Sequence, residues 1–268
     1  MKRRKPSNVD LQGIEKNKFY FSDIKQLTLY YQPKIDIKKN KIYGVEALLR
    51  WDHPQYGILP PSVFLDTIIN SGAIIKVGKW VLFEACQQIK YLHQLGFKEL
   101  CVSVNVSDQQ LKEEDFFNTV KEVLNQTQVQ PKYLHLEITE RIFLNSKENI
   151  KKVMFNLKEL KKLNIKILLD DFGTYYSCLH YLFTLPVDGI KIDKIFVDDL
   201  AHDNKKRIIT KKIIEMANEL GMEVIAEGIE KEEDLVCLKK LNCNQVQGFL
   251  FSKPIPIQHL VSLLHDFY

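Results

Sequence analysis

Six apolar runs from residue 100 onward are each followed by a helical pattern. The runs cover residues 100–107, 133–140, 165–169, 189–193, 222–229 and 245–251. The helical patterns after them cover residues 108–126, 146–163, 177–184, 205–220, 231–241 and 256–266. Strands that alternate with helices in this way are typical of βαβ units, in which the strands run parallel. The alternation therefore predicts an α/β fold built on a parallel sheet.

Two more runs, residues 27–37 and 41–51, precede these units and are separated only by the residues KKN. A parallel crossover needs about a dozen residues or more, so these two strands must be antiparallel if they pair. Helical patterns at 62–70 and 77–95 follow them. Eight strands in a chain of 268 residues favour a closed, TIM-like barrel over an open sheet. We assign residues 26–268 to this domain and residues 1–25 to a polar tail or short helix.

Most of the predicted strands carry an ionisable or amide side chain in their C-terminal half. These residues are Glu46, Asn105, Glu137, Asp170, Asp171, Lys191, Glu227 and Gln247. In barrels of this kind the C-terminal ends of the strands form the active face. We therefore expect these side chains to gather at one end of the barrel.

Each of these residues alone has a plain structural explanation. Glu46 could be a surface acid beside Arg50, Asn105 a helix cap, and Lys191 an ion-pair partner. Together, however, five carboxylates would face only Lys191 and at most Arg50 as counter-charges. Like charges packed so closely force protonation or disrupt the fold. The set therefore predicts a bound cation.

The donor types indicate which cation. Carboxylate and amide oxygens without Cys or His select Mg²⁺, Mn²⁺ or Ca²⁺. The adjacent pair Asp170 and Asp171 can bridge two ions, and two ions ~3.5–4 Å apart are a common device for cleaving phosphodiesters. Lys191 would then orient the attacking water, help to deprotonate it, or stabilise the negative charge of the phosphorane. The residues therefore predict a metal-dependent enzyme with a phosphate-bearing substrate.

The letters DDFG also occur in protein kinases. A kinase needs a GxGxxG loop and an HRD catalytic loop upstream of that element. The sequence contains neither motif before Asp170. The kinase interpretation is therefore rejected.

Eight segments resemble, in order, the signature motifs of the EAL-domain family, the cyclic di-GMP phosphodiesterases. They are YYQPKID, GVEALLRW, VSVNVS, LEITE, DDFGTYYS, IKIDKIFV, IAEGIE and QGFLFSKP. The resemblance extends over residues 26–264. It implies a (β/α)8 barrel with an antiparallel first strand. It also implies hydrolysis of cyclic di-GMP, a bacterial second messenger, to linear pGpG by a water activated by Mg²⁺ or Mn²⁺, with two ions.

The resemblance also implies roles for individual residues. The ligands of the first metal would be Glu46, Asn105, Glu137 and Asp170. Asp171 would hold the second metal and the attacking water, with Glu227 nearby. Lys191 resembles the catalytic lysine, which would act with Asp171 and Glu46. Glu140 resembles the acid that braces the loop after the Asp pair. Gln32, Arg50 and Gln247 match positions that contact substrate or water.

Two segments depart from the family pattern. Tyr175 and Cys178 stand where the family loop reads DDFGTGYSS, and Asp66 and Ile69 stand where a Pro and a Glu are usual. A Tyr is strained where a Gly adopts positive φ. These departures leave open an EAL module that binds cyclic di-GMP or a protein partner without cleaving the nucleotide. Another metal-dependent phosphoesterase on a similar barrel is a third alternative.

Composition limits the partners and the location. A net charge of +4 is small for this length and gives no sign of a nucleic-acid polymer as partner. No apolar run reaches the ~18 residues of a membrane helix, and the N-terminus lacks the apolar stretch of a signal peptide. We therefore expect a cytoplasmic protein that makes no membrane contact. The resemblance adds the expectation of a homodimer.

Overall fold

The computed structural model describes residues 21–144, 147–174 and 182–267. Within these residues nine strands form one sheet. The strands are β1 (Leu27–Asp36), β2 (Lys41–His53), β3 (Gly57–Leu59), β4 (Cys101–Val106), β5 (Leu134–Thr139), β6 (Lys166–Phe172), β7 (Gly189–Ile192), β8 (Glu223–Ala226) and β9 (Gln245–Val246).

Helices connect most of these strands. They are α1 (Pro61–Asn70), α2 (Ile74–Gln94), α3 (Asp108–Lys112), α4 (Phe116–Thr127), α5 (Lys147–Lys162), α6 (Lys194–Val197), α7 (Asn204–Glu219), α8 (Glu232–Lys240) and α9 (Ile257–Phe267). Three 3₁₀ turns cover Phe21–Gln26, Pro131–Tyr133 and Glu140–Leu144. None of the helices in the described part of the chain has the length and apolar character needed to cross a membrane.

The sheet closes into an eight-stranded barrel. Strands β2, β4, β5, β6, β7, β8 and β9 run parallel in that spatial order. Strand β1 closes the ring between β9 and β2 and is antiparallel to both. The short β3 pairs only with the end of β2. The predicted barrel and its antiparallel first strand are confirmed.

The pleat of the strands separates apolar from polar side chains. In β5, Leu134, Leu136 and Ile138 are fully buried, while His135 and Glu137 alternate with them. Successive strand residues point to opposite faces, so the apolar set faces the surrounding helices and the polar set faces the barrel axis. The apolar core therefore lies between the barrel and the helices, and the barrel interior is left for charged groups.

The predicted helix over residues 108–126 is wrong in one respect, because the structure breaks it into α3 and α4. Asn156 on α5 is buried, and its side-chain amide donates to the carbonyls of Leu111 and Glu113 at 2.9 Å each. Those carbonyls would accept from the next helical turn if the helix continued. A contact from a distant helix therefore decides the break.

The predicted strand over residues 245–251 is also too long, since β9 ends at Val246. Beyond it the chain turns, and Ile229 N donates to Gln247 O at 3.2 Å while Leu250 N donates to Ile229 O at 2.9 Å. A Cβ on Gly248 would lie 2.1 Å from the Ile229 carbonyl oxygen. Only glycine permits this close approach of two backbone segments.

Some expectations fall outside the described residues. These include most of the N-terminal tail, together with Tyr175 and Cys178 of the altered loop. The other departure is described. Asp66 is exposed on α1, and Ile69 packs against the core.

Candidate active site

Lys191 on β7 lies at the centre of an acidic cluster near the C-terminal ends of the strands. Its side chain is 1% exposed. Its Nζ lies 2.7 Å from Glu227 Oε1, 3.1 Å from Asp170 Oδ1 and 3.4 Å from Glu46 Oε2. It also pairs with Glu137 Oε2. Carboxylates from four other strands therefore share the ammonium group of Lys191, as their positions in the sequence predict.

The backbone at the end of β6 brings two adjacent carboxylates to this cluster. Neighbouring residues of a regular strand point to opposite faces. Asp171, however, has φ of +55°, and the register with β7 shifts between Leu169 and Phe172. The amide N of Asp171 donates to Asp170 Oδ1 at 3.0 Å. A non-glycine residue in this conformation is uncommon, and here it turns both aspartates toward the same end of the barrel.

The carboxylates of the cluster resist ionisation. Burial raises the pKa of Asp170 and Asp171, and it raises the pKa of Glu227 well above the usual value. Burial also raises the pKa of Glu46, and the negative charge of Glu137 adds to this effect. A buried carboxylate gives up its proton only when positive charge compensates it. At this end of the barrel the positive charge is therefore too small to compensate all of the carboxylates.

Glu137 is the exception. Burial opposes its ionisation, but the ammonium groups of Lys191 and Lys34 outweigh burial and lower the pKa of Glu137 to about 2. Burial likewise opposes the charge on Lys191, while the surrounding carboxylates, led by Asp170, raise the pKa of Lys191 well above its usual value. Glu137 and Lys191 therefore both favour their charged forms and form an ion pair beneath the cluster.

Three carboxylates have the arrangement that a metal ion needs. Asp170, Asp171 and Glu227 each offer one oxygen, and these oxygens lie within 4.8 Å of one another. An all-oxygen donor set suits a hard divalent cation such as Mg²⁺ or Mn²⁺. The donor types and the shortage of positive charge therefore both fit a divalent ion at this position.

Hydrogen bonds join Glu46 to the predicted ligand Asn105 and to the two glutamines. Asn105 Nδ2 donates to Glu46 Oε1 at 2.6 Å, and Gln247 Nε2 donates to Glu46 Oε2 at 2.7 Å. Gln247 Nε2 also lies 3.0 Å from Gln32 Oε1, and Gln32 donates to the Ser252 carbonyl at 3.1 Å. These bonds hold the Glu46 carboxylate between β4 and β9 with both of its oxygens in use.

A cleft of about 260 Å³ opens above the cluster. Its floor includes Glu46, Asp170, Lys191 and Glu227. At its mouth Phe249 is 50% exposed. Charged groups at the base and an accessible aromatic ring at the mouth are the features expected of a site for a ligand that carries both phosphates and flat bases.

Glu140 and Arg50 lie beside the cluster. Glu140 is buried, and its Oε1 accepts from the amide N of Gly173 at 3.0 Å. Glu140 therefore fixes the chain just after the Asp pair, where the resemblance places a bracing acid. The guanidinium of Arg50 donates to the Leu49 carbonyl at 2.7 Å and lies 5.7 Å from the ring centre of Tyr30. Arg50 is thus directed along the outer part of β1 and β2.

One charged group of the barrel interior, Lys34 on β1, was not predicted from the sequence. Its side chain is fully buried, and its Nζ lies 3.2 Å from Glu137 Oε1 and pairs with Ser103 Oγ. The expectation that Lys191 and at most Arg50 balance the carboxylates is therefore wrong. The signal was the strand alternation, since Lys34 lies two residues from Gln32 and shares its face.

The sequence matches a known family over most of its length. The family model described as EAL domain matches residues 20–254. The signaling protein YkoW of Bacillus subtilis is 38% identical over 245 residues, which are 91% of this chain and 29% of YkoW. The bifunctional diguanylate cyclase/cyclic di-GMP phosphodiesterase MucR of Pseudomonas aeruginosa is 37% identical over 89% of this chain and 34% of MucR. The chain thus spans about a third of the length of these curated relatives.

Solved structures are similar over the same region. The PaMucR phosphodiesterase in complex with c-di-GMP superposes with a TM-score of 0.84 at 35% identity, covering 94% of this chain and 100% of that one. An EAL domain protein from Listeria monocytogenes EGD-e superposes with a TM-score of 0.82 at 30% identity, covering 91% of this chain and 96% of that one. The similarity therefore includes the whole barrel.

Proposed function

Because the chain belongs to the EAL domain family, we propose that it hydrolyses cyclic di-GMP to linear pGpG and requires Mg²⁺ or Mn²⁺ for this reaction. The observation that carries the proposal is the cluster around Lys191. Four carboxylates contact one buried ammonium group at the floor of an open cleft. The surplus of negative charge supports a divalent cation as a resident of the site.

Asp170, Asp171 and Glu227 are the residues proposed to hold one ion, because their oxygens converge. Glu46, Asn105 and Glu137 are proposed to hold the other ion together with Asp170. When bound, the ions supply positive charge that polarises the phosphate and lowers the pKa of a water.

The chain's own residues bind and orient the substrate. Lys191 lies at the cleft floor, and its raised pKa favours the charged ammonium, so it stabilises the charge that grows on the phosphate oxygens. Gln32 and Gln247 hold Glu46 in place from the β1 and β9 side. We assign Arg50 and the exposed ring of Phe249 to contacts with the nucleotide outside the reacting phosphate.

The proposed reaction breaks one of the two phosphodiesters. The oxygen of a water molecule bonds to phosphorus, and the bond from phosphorus to the 3′ oxygen of the neighbouring ribose breaks. One water proton is lost and the leaving 3′ oxygen gains a proton. The linear product therefore carries a 5′ phosphate, as in pGpG.

The test compares the same substitution at the two ends of the barrel. Purified wild type, Asp171→Asn and Asp188→Asn are incubated with cyclic di-GMP and Mn²⁺, Mg²⁺ or EDTA, and pGpG is followed by chromatography. Asp171 belongs to the acidic cluster, whereas Asp188 accepts from the amide of Ile167 at 2.8 Å near the opposite end. We expect wild type and Asp188→Asn to form pGpG with a divalent ion only, and Asp171→Asn to lose at least ~100-fold in rate.

The same experiment also distinguishes an active enzyme from a binding module, which is the second interpretation of the sequence. Wild-type protein that binds cyclic di-GMP and leaves it unchanged with either metal would contradict hydrolysis and favour a binding module. One of the departures that favoured a binding module now carries less weight, because Ile69 packs against the core and does not line the cleft. Hydrolysis that persists in EDTA would contradict the metal requirement.

A further inference from the structure

Lys34 is a charged side chain that the proposed reaction does not use. It is fully buried on β1 and does not line the cleft above the cluster. Burying an ammonium group is costly unless a partner compensates it. A lysine that is buried away from the cleft is therefore expected to have a specific partner and a role.

The contacts of Lys34 indicate that reason. Its Nζ lies 3.2 Å from Glu137 Oε1, while Lys191 takes the other oxygen, Oε2, of the same carboxylate. The hydroxyl of Ser103 also bonds to Lys34. One glutamate is therefore held between two lysines, with one lysine for each oxygen.

The sharing of Glu137 between the two lysines affects the position of Lys191. Lys191 contacts Asp170 at 3.1 Å and Glu227 at 2.7 Å as well as Glu137. Without Lys34, Lys191 would be the sole cation beside Glu137, and the stronger attraction would draw its ammonium group deeper into the barrel. The two carboxylates nearer the cleft would then lose their contact with Lys191.

We propose that Lys34 is a positioning residue, which holds Glu137 through Oε1 and so keeps Lys191 at the level of Asp170 and Glu227. This proposal rests on the proposed function for its effect on the reaction. Lys34 acts through Glu137 and Lys191 and does not line the cleft. Its loss should therefore lower kcat and leave the KM for cyclic di-GMP almost unchanged.

A second consequence does not depend on catalysis. Removing a buried positive charge next to the acidic cluster strengthens the attraction of that cluster for a divalent cation. Mn²⁺ alone should therefore bind more tightly after Lys34 is neutralised. A residue with a merely structural role would have the opposite effect, because a disturbed cluster binds metal less well.

The experiment uses the full chain and three variants. Lys34→Met keeps an unbranched side chain that is one atom shorter and removes its charge. Lys166→Met is the matched control, because Lys166 pairs with Glu223 at the opposite end of the barrel. Ser103→Ala removes the other partner of Lys34 and serves as a second test if Lys34→Met does not fold. Each protein is measured for kcat, for KM and, by calorimetric titration without nucleotide, for the affinity of Mn²⁺.

For Lys34→Met we expect kcat to fall about tenfold or more, KM to stay within about twofold, and Mn²⁺ to bind at least about twofold more tightly. Ser103→Ala should lower kcat by about threefold with KM unchanged, and Lys166→Met should match wild type in all three values. A kcat within twofold of wild type for Lys34→Met, or for Ser103→Ala if Lys34→Met is unfolded, would overturn the proposal. So would joint losses in kcat, nucleotide affinity and Mn²⁺ affinity.

A failure of the proposed function would give a different result from a failure of the proposal about Lys34. Wild-type protein that forms no pGpG would reject the reaction, while the Mn²⁺ titration would still test Lys34. Tighter Mn²⁺ binding in Lys34→Met than in Lys166→Met would support the position of Lys34 behind the cluster. Equal or weaker binding would reject it.

Discussion

The two ends of the barrel differ in how their charged side chains are paired. At the amino-terminal end, Lys166 pairs with Glu223 and Lys161 pairs with Asp188, one cation to one anion, and all four side chains are partly exposed. At the carboxyl end, one buried lysine contacts four carboxylates. Charges that are matched and solvated serve the fold. A surplus of buried negative charge costs stability and is retained where a ligand supplies the missing cation.

The strongest test of this difference is the loss of Lys191. We expect Lys191→Met to lower kcat for cyclic di-GMP about 10³-fold, because the charge on the reacting phosphate loses its fixed cation. Circular dichroism checks that the variant folds with Mn²⁺ present. A rate within tenfold of wild type would contradict the role assigned to Lys191 and would weaken the contrast between the two ends.

The next test uses pH on metal-free protein. The pKa of Glu227 in the fold lies well above its ordinary value of 4.5. Glu227 therefore binds a proton more tightly in the folded chain than in the unfolded chain. Its contribution to stability is complete below pH 4.5 and is lost as the pH rises through the folded pKa. Glu46, Asp170 and Asp171 shift in the same direction.

We therefore expect the Tm of the EDTA-treated wild type, relative to that of Glu227→Gln, to fall by about 3 °C or more between about pH 5 and about pH 8. The comparison with Glu227→Gln is needed because burial lowers the pKa of His135 well below its usual value, so His135 favours folding more strongly as the pH rises through this range. His135 is present in both proteins and cancels in the difference, while the lowered pKa of Glu137 acts only in more acidic solution. Thermal denaturation of both proteins at several pH values measures the difference. A difference that stays constant or grows with pH would contradict the surplus of buried acids.

The smallest effect is expected at the amino-terminal end. The side chains of Lys166 and Glu223 are 39% and 32% exposed, and such ion pairs contribute about 1 kcal/mol or less to the free energy of unfolding. Lys166→Met should therefore lower Tm by about 3 °C or less and leave kcat within twofold of wild type. A larger loss of activity would show that the amino-terminal end is coupled to the acidic cluster. The two ends would then differ less than their charge pairing indicates.

Much of the fold follows from local patterns. The alternation of apolar runs and helical patterns predicted the barrel, and the three residues KKN required the antiparallel pairing of β1 with β2. The residues expected at the active face did gather around Lys191, since the ends of parallel strands must meet at one edge. The family resemblance is confirmed by the match over residues 20–254.

Other features depended on partners that are distant in the chain. The break before α4 depends on Asn156, and the early end of β9 depends on the close approach of Gly248 to Ile229. Local sequence patterns do not reveal such contacts. The positive φ of Asp171 likewise has no signature in an apolar run that leads into two acids.

The sequence alone determined the order of the elements, the kind of barrel and the acidic character of one end, because strand periodicity and loop length are local properties. Only the tertiary structure decided how the charges are shared. Lys34 and Glu137 lie far apart in the chain, and they meet because closing the barrel brings β1 and β5 onto a common interior. The electrostatics of a buried group depends on all of its neighbours in space, and closure of the barrel selects those neighbours.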